Sequence, residues 1–132
     1  MVNAAVLRAI VQRLVTHFDP EKIILFGSYA RGDATEESDV DLLVVAHTDL
    51  PPRIRFGAVR RLLTDYPAAF DVYLKTPEEY QRWRSVVNHV VYFADKYGKV
   101  IHERGGARSS AALVAEGTGG LGDGDDPVGQ RG

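Results

Sequence analysis

Apolar positions recur along the first hundred residues with two alternating periods, one typical of helices and one typical of strands. After Asn3, apolar residues fall three or four positions apart as far as Phe18, which predicts an amphipathic helix that Asn3 caps and Asp19-Pro20 ends. The short run KIILFG (22–27) predicts a strand. The stretch SYARGD (28–33) that follows it predicts a tight turn or a short helix.

Two further strands enclose a helix. DVDLLVVA (39–46) predicts a strand, and its continuous apolar end indicates that both faces are covered. AFDVYLK (69–75) predicts a third strand. Between them, RIRFGAVRRLLTDY (53–66) predicts a helix that Pro67 stops. We expect its buried stripe to consist of Ile54, Ala58, Val59, Leu62 and Tyr66.

The region after the third strand predicts one long helix. Thr76 and Glu79 have the spacing of a capping box, and Pro77 takes the first helical position. Gly98 stands where a C-terminal cap belongs, and KVIHE (99–103) predicts a last extended segment. We expect the buried face of this helix to consist of Tyr80, Trp83, Val87, Val91 and Ala94.

The order of these elements predicts an α/β fold, in which helices pack on a small mixed β-sheet, over residues 1–103. The segment 104–132 differs in composition, since it holds nine of the thirteen glycines and no aromatic residue. Such a segment buries too little apolar surface to offset the entropy of ordering it. We therefore expect a disordered tail there.

Composition excludes several classes of function. The 132 residues carry a net charge of −2, so no overall basic field indicates direct binding of nucleic acid. The absence of cysteine excludes disulfides and thiolate metal sites, and it is consistent with the cytoplasm. No apolar run approaches the roughly 18 residues of a membrane span.

Candidate chemistry appears where two carboxylates lie at the start of an apolar strand. Asp39 and Asp41 are two positions apart, so they point to the same face of that strand. Two like charges in one place are unfavourable, and a divalent cation removes the conflict. Two Mg²⁺ ions can clamp a phosphoryl group between them. Asp71, inside the third strand, can complete such a metal site if the two strands are neighbours, and it can also accept a proton.

Phosphate donors precede these carboxylates along the chain. Gly27 allows a close approach of the backbone to phosphate, and the Ser28 hydroxyl can donate a hydrogen bond to it. Arg31 is placed to bind a pair of phosphate oxygens. Together with the acidic residues, this set predicts nucleotidyl transfer from a nucleoside triphosphate.

Structural explanations for the same residues remain open. Asp39 and Asp41 could form a solvated strand edge, and Asp71 could pair with an arginine. Ser28 could simply cap the turn, and Arg31 could be a surface arginine. The basic helix residues could be solvated, or they could form a docking surface for an acidic partner or for phosphates. Those helix residues are Arg53, Arg55, Arg60 and Arg61.

The motifs GSYARGD and SDVDLLV resemble those of a known family. Gly27-Ser28, ten intervening residues and then Asp39-Val40-Asp41 are similar to the signature of the DNA polymerase β-like nucleotidyltransferases. Their smallest members, the minimal nucleotidyltransferases, are often the antitoxin half of a HEPN/MNT toxin–antitoxin pair. The resemblance covers residues 23–75 by motif and residues 1–103 by element order.

The resemblance implies a set of roles. Asp39, Asp41 and Asp71 correspond to metal-binding aspartates, and Asp71 also to the proton acceptor. Ser28 corresponds to the serine that binds the triphosphate of ATP, with Arg31 beside it. The implied reaction is Mg²⁺-dependent transfer of AMP from ATP to a tyrosine of the partner HEPN toxin, which silences that toxin.

Two other functions remain open from the sequence. The chain could be an antitoxin without catalysis that neutralises its toxin by binding alone, although occlusion does not need the acidic residues. It could also be a nucleotidyltransferase that acts on a small molecule such as an aminoglycoside. The absence of an evident second domain to enclose a drug argues against that acceptor.

Overall fold

The computed structural model describes residues 2–105, which form four strands and five helices. Along the chain these are α1 (Ala4–Phe18), β1 (Lys22–Phe26), α2 (Ser28–Arg31), β2 (Val40–Val45), α3 (Pro52–Leu62), β3 (Phe70–Lys75), α4 (Pro77–Trp83), α5 (Val90–Tyr97) and β4 (Lys99–Glu103). The side chain of Asn3 accepts a hydrogen bond from Val6 and caps α1, as its sequence predicts. The segment 28–33, predicted as a turn or short helix, contains the one-turn helix α2.

The four strands form one mixed sheet in the order β3-β2-β1-β4. β2 and β3 are parallel, whereas β1 is antiparallel to both of its neighbours, β2 and β4. The predicted fold class, helices packed on a small mixed sheet, is therefore confirmed. The central strand β2 is buried on both faces from Leu42 to Ala46, which explains its continuous apolar sequence.

The two faces of the sheet carry two separate apolar clusters. Helices α1 and α3 cover one face, where Ile10, Leu14 and Val59 are fully buried. Helices α4 and α5 cover the other face through Tyr80, Val91 and Ala94. Because side chains alternate along a strand, odd-numbered positions of β2 and β3 point towards α4 and α5.

The predicted single helix after β3 is wrong, because the chain forms two helices separated by residues 84–89. The connecting stretch contains β-branched and polar residues of low helix propensity, and Asn88 adopts a left-handed conformation with φ of 75°. The His89 side chain then caps α5 by accepting a hydrogen bond from Val91. Val87, predicted to be buried, is 65% exposed in this connection.

Two other predicted details also differ from the structure. α3 ends at Leu62, and its buried positions are Arg55 and Val59, while Ile54 is 44% exposed. Gly98 does cap α5, but in an extended conformation. A side chain at Gly98 would contact Ile24 and the Leu25 carbonyl oxygen, so the close approach of α5 to β1 requires glycine there.

The buried arginine explains why α3 is rotated from the predicted orientation. The Arg55 guanidinium donates to the carbonyl oxygens of Leu50 at 2.9 Å and Leu74 at 3.3 Å, and to Glu79 Oε1 at 2.6 Å. Glu79 also accepts a hydrogen bond from the Thr76 N–H, which completes the predicted capping box of α4. One arginine thus joins the start of α3, the end of β3 and the start of α4.

The ends of the described chain are attached at different places. The Val2 N–H donates to the Tyr29 hydroxyl, and the Arg104 guanidinium donates to the Asp19 carbonyl oxygen at 2.8 Å. The predicted disordered tail lies outside the described residues from position 106 onwards. Among residues 2–105, the helices are too short or too polar to cross a bilayer.

We expect Arg55→Ala to lower the free energy of unfolding by about 3 kcal/mol, because it leaves Glu79 partly buried without its cationic partner. Arg53→Ala removes the same charge from an exposed position of the same helix, so we expect a change below about 0.5 kcal/mol. Urea unfolding followed by circular dichroism compares the two variants. Equal losses of stability would contradict the structural role of the buried ion pair.

Candidate active site

Parallel pairing of β2 with β3 places two carboxylates side by side. Asp41 and Asp71 are register partners, and both point to the sheet face that α4 and α5 cover further along. Asp39 immediately precedes β2 and lies beside them. The structure therefore brings together the three acidic residues that the sequence singled out.

Burial and the charges of the neighbouring carboxylates raise the pKa values of Asp41 and Asp71. Partial burial, followed by the charges of Asp71 and Asp39, raises the pKa of Asp41 to about 6. Burial, the charge of Asp39 and a hydrogen bond with the Asp39 carboxyl group raise the pKa of Asp71 as well. Acidic groups with raised pKa values at one end of a sheet are typical of a functional site.

The glycine-serine turn lies at the same end of the sheet. Phe26, the last residue of β1, is the register partner of Asp41, and Gly27-Ser28 follows directly. Gly27 has φ of 74°, and a side-chain carbon there would collide with Oδ2 of Asp41. Glycine is therefore required both by the left-handed backbone and by the carboxylate that lies against it.

A cation stands on each side of the acidic group. The positive charge of Arg31, on the β1 side, offsets part of the rise in the pKa of Asp41. The charge of Arg60, on the α3 side, offsets part of the rise in the pKa of Asp71. The Arg31 Nε also donates to Asp33 at 3.3 Å in an exposed ion pair, which is weak in water. Arg31 therefore lies near the carboxylates and can exchange its partner easily.

Tyr73, one step further than Asp71 along the same face of β3, is the centre of an aromatic row that the sequence interpretation missed. The Tyr73 ring lies 6.0 Å from the ring of Phe26 and 6.0 Å from the ring of Phe56. Burial and the charges of Asp71, Asp41 and Asp39 raise the pKa of Tyr73, so its hydroxyl stays protonated and can donate. The alternation in FDVY could have indicated that Tyr73 shares a face with Asp71, but Phe56 comes from a separate element.

The donor set is suitable for a hard divalent cation, because carboxylate oxygens are the ligands that Mg²⁺ prefers. Within residues 2–105, however, no three His, Asp or Glu side chains are already arranged as a complete metal site. Asp39, Asp41 and Asp71 are therefore close enough to repel one another, but their oxygens do not surround one point. Rotation of these side chains would be needed to bring their oxygens onto a shared ion.

Comparison with known proteins identifies the family. The family model described as "Nucleotidyltransferase domain" matches residues 7–95, which is more than half of the chain. The chain belongs to the nucleotidyltransferase domain family. The match includes the glycine-serine turn and all three aspartates, so the site just described lies inside the nucleotidyltransferase domain.

Curated relatives of the domain are named for transfer to proteins. The chain is 42% identical over 62 residues to "Putative protein adenylyltransferase MJ0604" of Methanocaldococcus jannaschii. This match includes 47% of the chain and 60% of the relative. The chain thus spans about three fifths of the length of that curated relative.

Solved structures share the fold of the domain. One is the "Crystal structure of a putative nucleotidyltransferase from Sulfolobus solfataricus", with a TM-score of 0.54 and 23% identity over 76% of this chain and 80% of that one. Another is the "Crystal structure of the toxin-antitoxin with AMP-PNP", with a TM-score of 0.51 and 24% identity over 73% of both chains. At these identities the similarity establishes the fold.

We expect Asp41→Asn to stabilise the nucleotidyltransferase domain at pH 8 and not at pH 4. A carboxyl group whose folded pKa exceeds its unfolded value binds its proton more tightly when folded, so stability falls as the pH rises from about 4 to about 6. After allowance for solvent screening, removing that charge should gain about 1 kcal/mol. Thermal unfolding at both pH values measures this, with exposed Glu37→Gln as the control. An equal effect at both pH values would contradict the charge repulsion.

Two glycines with positive φ angles can be compared to test the close approach at Gly27. Gly32 has φ of 88°, and a side chain there would meet no atom within 4 Å. We expect Gly32→Ala to cost about 1 kcal/mol of stability from backbone strain alone. Gly27→Ala should cost about 1–3 kcal/mol more, because its φ of 74° and ψ of −155° are essentially restricted to glycine and because the new side chain must also displace Asp41. Equal costs in urea unfolding would show that Asp41 does not lie against Gly27.

Proposed function

We propose that the protein transfers AMP from ATP to a hydroxyl group of a partner protein and so acts as an antitoxin. The observation that supports this most directly is the register pairing of Asp41 with Asp71, next to the Gly27-Ser28 turn. A structural role does not explain why two acidic side chains share one end of a sheet and repel each other there. Binding of cations and phosphate does explain it.

The triphosphate of ATP binds on the β1 side of the site in this proposal. Gly27 lets the turn pass directly against Asp41, which brings Ser28 next to the carboxylates. The Ala30 and Arg31 N–H groups already donate to the Gly27 carbonyl oxygen, so side chains supply the phosphate donors in this proposal. The Ser28 hydroxyl donates to a phosphate oxygen, and Arg31 leaves the exposed Asp33 to bind the phosphates. The AMP-PNP in the toxin–antitoxin structure of the same fold is consistent with a nucleotide here.

Asp39, Asp41 and Asp71 hold the metal, for which we propose two Mg²⁺ ions. Bound Mg²⁺ would neutralise the triphosphate and the charge that develops during transfer. The raised pKa values of Asp41 and Asp71 show that ionising these groups is costly without a cation. Binding the metal would therefore turn an unfavourable cluster into a favourable one.

The chain's own residues then align one displacement at phosphorus. The acceptor oxygen forms a bond to the α-phosphorus of ATP, the bond from that phosphorus to the bridging oxygen breaks, and pyrophosphate leaves. The acceptor proton moves to the Asp71 carboxylate. Asp71 is suited to this role because its raised pKa brings it closer to neutral pH, where a general base works best.

The acceptor we propose is a tyrosine of a cognate HEPN-type toxin. The curated relative is named for adenylyl transfer to protein, and a structure of the same fold is named a toxin–antitoxin. The 1–103 segment is the catalytic unit in this proposal, and the 104–132 segment has no assigned task. We place the reaction in the cytoplasm, where ATP and Mg²⁺ are available.

Transfer of AMP can be tested with labelled ATP, Mg²⁺ and the product of the neighbouring gene as candidate acceptor. We expect label on a tyrosine of that partner, and an Asp39→Asn/Asp41→Asn double variant should lower kcat by about 10²–10³-fold. Because this variant relieves repulsion, we expect it to be at least as stable as the wild type, and thermal unfolding of both proteins checks this. Chelation of Mg²⁺ should abolish transfer.

Asp49→Asn is the matched control, because it changes an exposed acid that belongs to neither the site nor its flanks. A double variant as active as the Asp49→Asn protein would refute the catalytic role of the aspartates. Neutralisation of the toxin by the same inactive variant would indicate an antitoxin that works by binding alone. Label on an aminoglycoside and not on protein would point to a small-molecule acceptor.

A further inference from the structure

One side of helix α3 borders the candidate active site and is exposed to solvent. Arg53, Phe56, Gly57 and Arg60 follow each other at intervals of one, three or four residues, and we call this surface the acceptor face. Phe56 contacts Tyr73 in the aromatic row, and the charge of Arg60 acts on Asp71. The acceptor face therefore lies directly beside the three carboxylates.

The acceptor face carries two arginines, Arg53 and Arg60, and no acidic side chain. Helix α3 has four arginines and no acidic residue. Arg55 is neutralised by Glu79, but in the described part of the chain Arg53, Arg60 and Arg61 have no carboxylate within ion-pair distance. Phe56 is 41% exposed among them. A large apolar side chain between unpaired arginines is typical of a surface that binds a protein partner.

Gly57 gives an independent indication of a close contact. A glycine inside a helix costs about 1 kcal/mol relative to alanine. Here the fold does not require it, because a side-chain carbon at Gly57 would meet only Arg61 Nη1, at 3.8 Å. The missing side chain leaves a shallow depression in the middle of the acceptor face. Such a depression lets the backbone of a partner lie directly against the helix.

A cleft continues the acceptor face towards the start of β3. It has a volume of about 230 Å³ and is lined by Phe56, Arg60, Leu63, Thr64, Tyr66 and Phe70, among others. Pockets for drug-sized ligands are typically about 300–1,000 Å³, so this cleft suits one side chain better than a nucleotide. Apolar side chains make up most of its walls, and Arg60, Thr64 and Tyr66 add polar groups.

We propose that the acceptor face docks the segment of the partner protein that carries the acceptor hydroxyl, and that this segment is acidic. An apolar side chain of the segment occupies the cleft, carboxylates pair with Arg53 and Arg60, and the hydroxyl points to Asp71. This inference rests on the proposed transfer of AMP. It divides the site into a nucleotide side at β1 and an acceptor side at α3.

A protein segment fits this surface better than RNA does. The three carboxylates next to the acceptor face repel a phosphate backbone wherever a metal does not screen them. The exposed phenylalanine and the small apolar cleft need an apolar side chain as a partner. Single-stranded RNA binding through aromatic residues also uses a longer basic groove than these two arginines form.

Docking can be measured with synthetic peptides, independently of transfer. The first probe is a fluorescent peptide with one tyrosine flanked by glutamates and a leucine, and the second replaces the glutamates with lysines. Fluorescence anisotropy gives the Kd of each peptide for the full chain. A fluorescent ATP analogue is titrated into the same proteins to report the nucleotide side.

We expect the acidic peptide to bind at least tenfold more tightly than the basic one. Gly57→Trp blocks the low centre of the acceptor face, and Arg53→Glu reverses a charge there, so each should weaken the acidic peptide by about tenfold. Both should leave the affinity for the ATP analogue within twofold. Arg82→Glu makes the same charge change at an exposed position of α4 and should leave peptide affinity unchanged.

Two results would overturn the acceptor face. One is that neither Gly57→Trp nor Arg53→Glu weakens the acidic peptide, provided that both variants unfold at the wild-type temperature. The other is that a single-stranded RNA oligonucleotide binds there and the peptide does not. If the wild type transfers AMP but docking is insensitive to these variants, only the acceptor face fails. If peptides dock as expected but no protein acceptor receives AMP, the proposed function fails.

Discussion

Parallel pairing between β2 and β3 is the constraint on which the rest of the structure depends. It sets Asp41 beside Asp71 and lets Asp39 approach them from the loop before β2. The resulting repulsion must be offset by the rest of the sheet, and the strands are suited to that task. Beyond the carboxylates, β2 is buried on both faces, so the same strand that carries the charge conflict also supplies much of the core.

The elements around this pair are each fixed by interactions remote from the carboxylates. Arg55 and Glu79 attach α3 and α4 to the end of β3 that lies farthest from Asp71. On the other face, the Tyr80 hydroxyl donates to Asp95, which joins α4 to α5. The ion pair of Arg55 and Glu79, which holds the helices to the sheet, thus lies at the opposite end of β3 from Asp71.

Local patterns were sufficient for most of the fold and for part of the site. The spacing of Gly27-Ser28 and Asp39-Val40-Asp41 located the turn and two of the carboxylates, and the capping box located the start of α4. Placing Asp71 in the same site required knowing that β2 and β3 are neighbours, and the sequence alone could state this only as a condition. The continuous helix was wrong because Asn88 adopts a left-handed conformation that apolar periodicity does not reveal.

Strand β4 leads the chain away from the carboxylates. Lys99 pairs with Leu25 near the glycine turn, and Glu103 pairs with Lys22 at the other end of the sheet. Val2, by contrast, is bonded to α2 through Tyr29, close to the turn. A label placed directly after Glu103 would therefore leave the sheet at the end opposite the carboxylates, whereas one placed at Val2 would begin beside the Gly27-Ser28 turn.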